Sequence, residues 1–231
     1  MLPLYEAKMI HHFDTRWATY APDGVTRYVT PEEKRAGFSP LPRYWVHERE
    51  VETVLDGKWN NPWMFGWRDI TNNTNERTLI ATKLPRVAVG NNLPLAFASV
   101  TNDELSGLQA VLSSYALDFV TRQKTGGTHL NFFSMQQLPA PTPGQLGSHL
   151  AWIASRVDRL NSQRLDDKTS EALRAELDAL MFHVYGVSRD DAGYILDSFP
   201  IVKRKDEAQF GEYRTKRLIL EKYDGLQGAA S

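Results

Sequence analysis

The chain has 231 residues, with 27 Lys and Arg against 28 Asp and Glu, a formal net charge of -1 with neutral histidines. That length suits one large or two small domains. The charge balance excludes a uniformly basic coat but leaves room for a local basic face. Cysteine is absent, which excludes disulfides, thiolate nucleophiles and Cys-ligated zinc and fits a reducing cytoplasm. No apolar run approaches the roughly 20 residues of a membrane span. The start, Met1-Leu2-Pro3-Leu4-Tyr5-Glu6, lacks the basic and then apolar order of a signal peptide. A soluble intracellular chain is the expectation.

Residues 1–100 hold five of the six tryptophans, most of the prolines and no long helical period, a pattern of short strands joined by loops. Strands are expected at Arg43–Val46, Met64–Ile70, Leu79–Thr82 and Arg86–Val89, where β-branched or aromatic residues are bounded by Pro, Asn or Gly. From Asn102 the period changes: Leu105, Leu108, Leu112, Tyr115 and Phe119 predict one amphipathic helix ending near Arg122-Gln123-Lys124. Gly126-Gly127 then opens a polar loop, and the three prolines between Leu138 and Pro143 mark a boundary.

Beyond it the chain reads as helical. Leu146, Leu150, Ile153, Val157 and Leu160 step by four and three, a stripe suited to packing against another helix. Leu173, Leu177, Leu180, Met181 and Val184 form a second stripe, with Gly186 where a left-handed cap is expected. Ser188 with Asp190 and Asp191 predicts a third helix start, and Pro200 its stop. Lys203 to Lys222, with seven Lys or Arg against four Asp or Glu, is the most cationic stretch.

Catalytic signatures are lacking: there is no G-x-G-x-x-G, P-loop, H-E-x-x-H or G-x-S-x-G. Asn60-Asn61-Pro62-Trp63 has a superficial likeness to the Asn-Pro-Pro-aromatic loop that holds a flipped adenine, but the second proline is missing and an ordinary turn is the plainer reading. His11-His12-Phe13-Asp14 could suggest metal ligands, yet adjacent strand residues point to opposite faces and no third ligand is at hand. His129 suits either a base-edge contact or a solvated loop. The stretch from Trp67 to Thr78 concentrates amides, hydroxyls and two arginines. These are groups that pair with base edges and phosphates, and equally groups that hold a polar loop by side-chain to backbone bonds.

Five segments in one order resemble a known family. They are Tyr5 to Asp14, Thr74 to Ala81, Gly126 to Asn131 with Leu138-Pro139, Leu180 to Ser188, and Gly211 to Leu218. Together they look like the C-terminal portion of large adenine-specific DNA methyltransferases of the type IIG-like restriction-modification and related phage-defence systems. The resemblance implies a C-terminal fragment that carries a target-recognition domain and a following helical region. It is not catalytic alone, and its partners are double-stranded DNA and the parent's upstream methyltransferase domain, where S-adenosylmethionine binds. A start at Met1 without that domain is what an excised segment would show.

Physically, an enzyme that flips one adenine needs a second surface to choose the site. A few Arg, Asn, Gln and Thr side chains in the major groove suffice, at about 1 to 3 kcal/mol of discrimination for each good bidentate pair. Lys8, Arg16, Arg68, Arg77 and Lys124 are the expected phosphate or guanine contacts, and Asn72, Asn73, Asn75, Thr128, His129 and Asn131 the candidate base readers. The competing reading is a scaffold module that docks a partner through the Leu146–Leu160 stripe. A nuclease is disfavoured because no carboxylate cluster suits magnesium. The expected fold is α+β: a mixed, mainly antiparallel recognition domain over 1–144 with an inserted helix near 102–122, then a helical region over 145–231.

Overall fold

A computed structural model describes residues 1–227 and shows an α+β fold of small, mostly antiparallel sheets and many helices. The chain forms two compact units, one of 1–70 with 80–99 and one of 71–79 with the described residues from 100 onward. The division therefore falls near residue 100, where the sequence reading put it at 144, and 71–79 leaves the first unit to join the second.

In the first unit β1 (Leu2–Tyr5) is central to a three-stranded sheet. The hairpin β2 (Ala18–Tyr20) and β3 (Thr26–Tyr28) follows, then α1 (Pro31–Arg35), β4 (Trp45–Val46) and α2 (Glu48–Leu55). The second sheet is built on β5 (Trp63–Trp67) and β6 (Ala81–Pro85); β7 (Ala88–Val89) and β8 (Leu95–Ala96) complete the strands. β1 pairs antiparallel with β4 and in parallel with β7, while β5 lies antiparallel between β6 and β8. Gly66 is required in β5: a Cβ there would stand 2.7 Å from the Pro94 carbonyl oxygen. Tyr5, Met9, Ile10, Trp59, Met64 and Leu84 form the core, each large apolar side chain contributing about 1.5 to 3 kcal/mol by leaving water.

The second unit is helical: α3 (Asn102–Ser113), α4 (Tyr115–Lys124), α5 (Phe132–Gln136), α6 (Pro143–Leu146), α7 (Leu150–Asn161), α8 (Asp167–Val184), α9 (Arg189–Asp197), α10 (Pro200–Phe210) and α11 (Arg214–Gln227). The single helix expected over 102–124 is two. Ser114 is extended, its hydroxyl accepts the Leu117 N–H to cap α4, and the Asp178 carboxylate accepts the Tyr115 N–H at 2.8 Å. These acceptors satisfy amides that a break in the helix would otherwise leave bare.

The Leu146–Leu160 stripe is spent inside this unit. Leu146, Ile153, Val157 and Leu160 are buried, and α7 packs on α3. Gln109 and Asn161 exchange two carboxamide hydrogen bonds of 2.9 Å across that seam. The other half of the core gathers Tyr115, Phe182, Leu196, Phe199, Ile219 and Tyr223 from α4, α8, α9 and α11 and the turn before α10. Caps follow the sequence reading: Gly186 is left-handed at φ 66°, and the Ser188 hydroxyl accepts the Asp191 N–H. Pro200 begins α10 as its first residue rather than only ending α9. A left-handed Gly211 separates α10 from α11 within the cationic tail.

Candidate nucleic-acid interface

The candidate site lies in the second unit, where two polar loops are tied together. The Thr71 N–H donates to the Thr128 carbonyl at 3.0 Å, joining the 71–79 loop to the glycine-rich loop after α4. Within the first loop the Thr71 hydroxyl donates to the Thr78 carbonyl at 2.6 Å. The Asn72 carboxamide oxygen accepts both the Thr74 N–H and the Thr74 hydroxyl at 2.9 Å, a turn closed by its own side chain.

The loop's foundation is ionic. Arg77, 9% exposed, sets its Nε 2.5 Å from a carboxylate oxygen of fully buried Asp118, and a second nitrogen donates to the Ser113 carbonyl at 2.7 Å. The Thr78 N–H donates to the same carboxylate at 3.0 Å. The Arg77 guanidinium also lies 4.1 Å from the Tyr115 ring centroid. Burial alone would lower the Arg77 pKa, but the charge of Asp118, with Asp178 behind it, outweighs burial and raises it, so the cation is permanent. Burial pushes the Asp178 carboxyl up to about 6, against the opposing pull of Arg77 and the Tyr115 N–H.

Arg122 supports the loop from the α4 side. It donates to the carbonyls of Asn75 at 2.5 Å and Glu76 at 2.7 Å, and lies 4.0 Å from the Phe199 ring centroid. Burial depresses its pKa, with Asp118 opposing the shift. Lys205 of α10 pairs with the Glu76 carboxylate, which sets the basic run Lys203-Arg204-Lys205 on the helix beside the amide-rich loop.

The structure sorts the expected contacts into three groups. Asn72, Asn73, Asn75, Lys124, Thr128, His129 and Asn131 are all exposed on these loops or at the end of α4. Two of these amides are partly committed: the Asn72 oxygen closes its turn, and the Asn131 oxygen caps α5 by accepting the Ser134 N–H at 3.0 Å. Arg77 forms a separate group, because its guanidinium is buried against Asp118 and serves as the anchor of the loop, correcting its expected role as a DNA contact.

Lys8, Arg16 and Arg68 belong to the first unit. Lys8 is exposed, 4.7 Å from the Tyr20 ring centroid. Arg16 donates to the Lys34 carbonyl at 3.0 Å. Arg68 donates twice to the Ile10 carbonyl, with burial drawing its pKa down to about 10. A guanidinium so bound holds local structure together in place of the phosphate contact expected of it.

Sequence reasoning missed Asp118, Arg122 and the Lys203–Lys205 run as parts of this site. The available signals were the Asp-to-Arg spacing of four on one helix and the density of cations in the tail.

Among the described residues no group of three or more His, Asp or Glu could hold a metal ion, and no helix is long and apolar enough to cross a membrane. The one parallel pairing among the described residues, β1 with β7, is two residue pairs long, and β7 leads to a turn at Gly90 and then to β8. The described residues thus do not form the strand-glycine-helix unit that an adenosylmethionine pocket would need. No protein-family model matches the chain, and no curated protein matches its sequence.

Proposed function

We propose that the second unit is a sequence-reading module for double-stranded DNA. It would serve an adenine-specific, adenosylmethionine-dependent methyltransferase of a cytoplasmic restriction-modification or phage-defence system. Methyl transfer, and any cleavage, would belong to another domain of that enzyme. The observation that supports the reading is the pinned pair of loops, which presents Asn73, Asn75, Thr128 and His129 on a rigid base with Lys124 and the α10 cations nearby. Amides and hydroxyls distinguish base edges, and lysines and arginines hold phosphates. The scaffold alternative loses its carrier, since the stripe it relied on is buried within the chain.

The test is a gel shift of the full chain on random duplex across a salt series. Binding should weaken steeply with salt. The variant Lys124→Ala, Arg204→Ala, Lys205→Ala should flatten the logarithmic slope by about 0.9 for each phosphate that it leaves without a cation. Absent or salt-insensitive binding overturns the reading.

A further inference from the structure

Between its anchors the second loop carries an apolar projection. Leu130, 1% exposed, and Leu138 are buried, whereas Phe132 and Phe133 between them are exposed. Phe133, at 73%, is the most exposed large hydrophobic side chain among the described residues. The projection has a firm root. Asn131 caps α5 through the Ser134 N–H and hydroxyl, the Thr125 hydroxyl donates to the Thr121 carbonyl at 2.7 Å, and Thr128 is tied to Thr71. Tyr185 donates to the Pro139 carbonyl at 3.0 Å just beyond Leu138.

A ring held out in water on a rigid turn forgoes burial that a looser segment could recover by folding back. The exposed polar residues that precede it are Lys124, Thr128, His129 and Asn131, and Phe132 beside it is a second exposed ring. That composition suits a surface whose partner combines negative charge with flat apolar faces, which in duplex DNA means phosphates and stacked bases.

Resting on the DNA reading above, we propose that Phe133 is a wedge that enters a base-pair step next to the sequence read by the Asn72–Asn75 loop and partly unstacks it. Insertion of an apolar side chain trades base stacking for ring stacking and bends the duplex, and flexible pyrimidine-purine steps yield most readily. The wedge adds an indirect preference at a step that no amide needs to touch. Asn131 acts as a positioning residue, because its cap fixes the turn from which the ring projects.

The experiment uses the full chain and duplexes that it recovers from a randomised pool, with 2-aminopurine substituted at each adenine in turn. Binding by the wild-type chain should raise the fluorescence at one step. Phe133→Ala should keep the wild-type melting temperature, bind about tenfold more weakly and lose that rise, and Phe133→Trp should retain it. An equal rise with Phe133→Ala, or no rise at any position while binding persists, refutes the wedge and leaves the DNA reading standing. Recovery of no duplex from the pool refutes the DNA reading itself, and the wedge falls with it.

Discussion

Arg77 and Asp118, 41 residues apart in sequence, meet with a nitrogen-oxygen separation of 2.5 Å inside the helical unit. This pair fixes where the 71–79 loop leaves the packed interior. The same carboxylate accepts the Thr78 N–H and the same guanidinium donates to the Ser113 carbonyl, so the pair anchors the C-terminal end of the loop.

Removing one member of such a pair strands the other charge in the interior. Arg77→Ala should cost about 3 to 5 kcal/mol of stability. Arg77→Lys should recover little, since an ammonium cannot reproduce the forked donation to carboxylate and carbonyl. Denaturant unfolding measures both, and a loss below about 1 kcal/mol, the range of exposed pairs, would contradict the anchoring role.

Asp178 gives the helical unit a pH signature. Its carboxyl titrates at about 6 in the folded chain, above its ordinary value of 3.8, because burial opposes the charge. A raised folded value means that the favourable contribution is present below about pH 4 and is lost as pH rises through about 6. Asp178→Asn keeps an oxygen for the Tyr115 N–H and removes the titration. The variant should therefore gain on the wild type by on the order of 1 to 3 kcal/mol between pH 4 and 7. Paired unfolding curves across that range check it, and a constant difference would contradict it.

In the strand-rich unit Gly66 is the sensitive position. Its missing Cβ leaves room for the Pro94 carbonyl, and backbone cannot swing aside as a side-chain end could. Gly66→Ala should destabilise that unit by about 1 to 3 kcal/mol. Hydrogen exchange should show lower protection at β5 and β8 and unchanged protection at α8. A neutral substitution would mean that the Pro94 turn yields more easily than its geometry implies.

Base reading and phosphate holding make different demands on variants. Asn73→Ala should weaken the preferred duplex by about 1 to 3 kcal/mol and leave scrambled duplex almost unchanged, whereas Lys124→Ala should weaken both alike. Fluorescence anisotropy with the two duplexes separates them. Equal effects of Asn73→Ala on both sequences would remove it from the readers.

Much of the architecture was visible in the residues. The stripes of α7 and α8 fall where the apolar period placed them, and the Gly186 and Ser188 caps were legible because each depends on local conformation. The break at Ser114 was not legible, since beside its local cap it uses Asp178, which lies 63 residues beyond Tyr115 and accepts that residue's N–H. For the same reason α3 and α4 belong with the later helices instead of lying inside the strand-rich unit.

The exposed part of the site followed from residue type: the amides of Asn72, Asn73 and Asn75 and the polar residues after Gly126-Gly127 stay at the surface. Its buried part did not. Arg68 and Arg77 have the composition of DNA contacts, and only tertiary structure reveals that one is bound to the Ile10 carbonyl and the other to Asp118. The role of Lys205 depended on a pairing with Glu76 at a separation of 129 residues, beyond the reach of any local pattern.

Sequence selection through the loops joined at Thr71 and Thr128, as proposed above, is open to repeated rounds of capture from a randomised duplex pool followed by sequencing. Convergence on one short motif is expected for the wild-type chain, with a relaxed position in that motif for Asn73→Ala. A recovered pool with the base composition of the starting library, round after round, would contradict it.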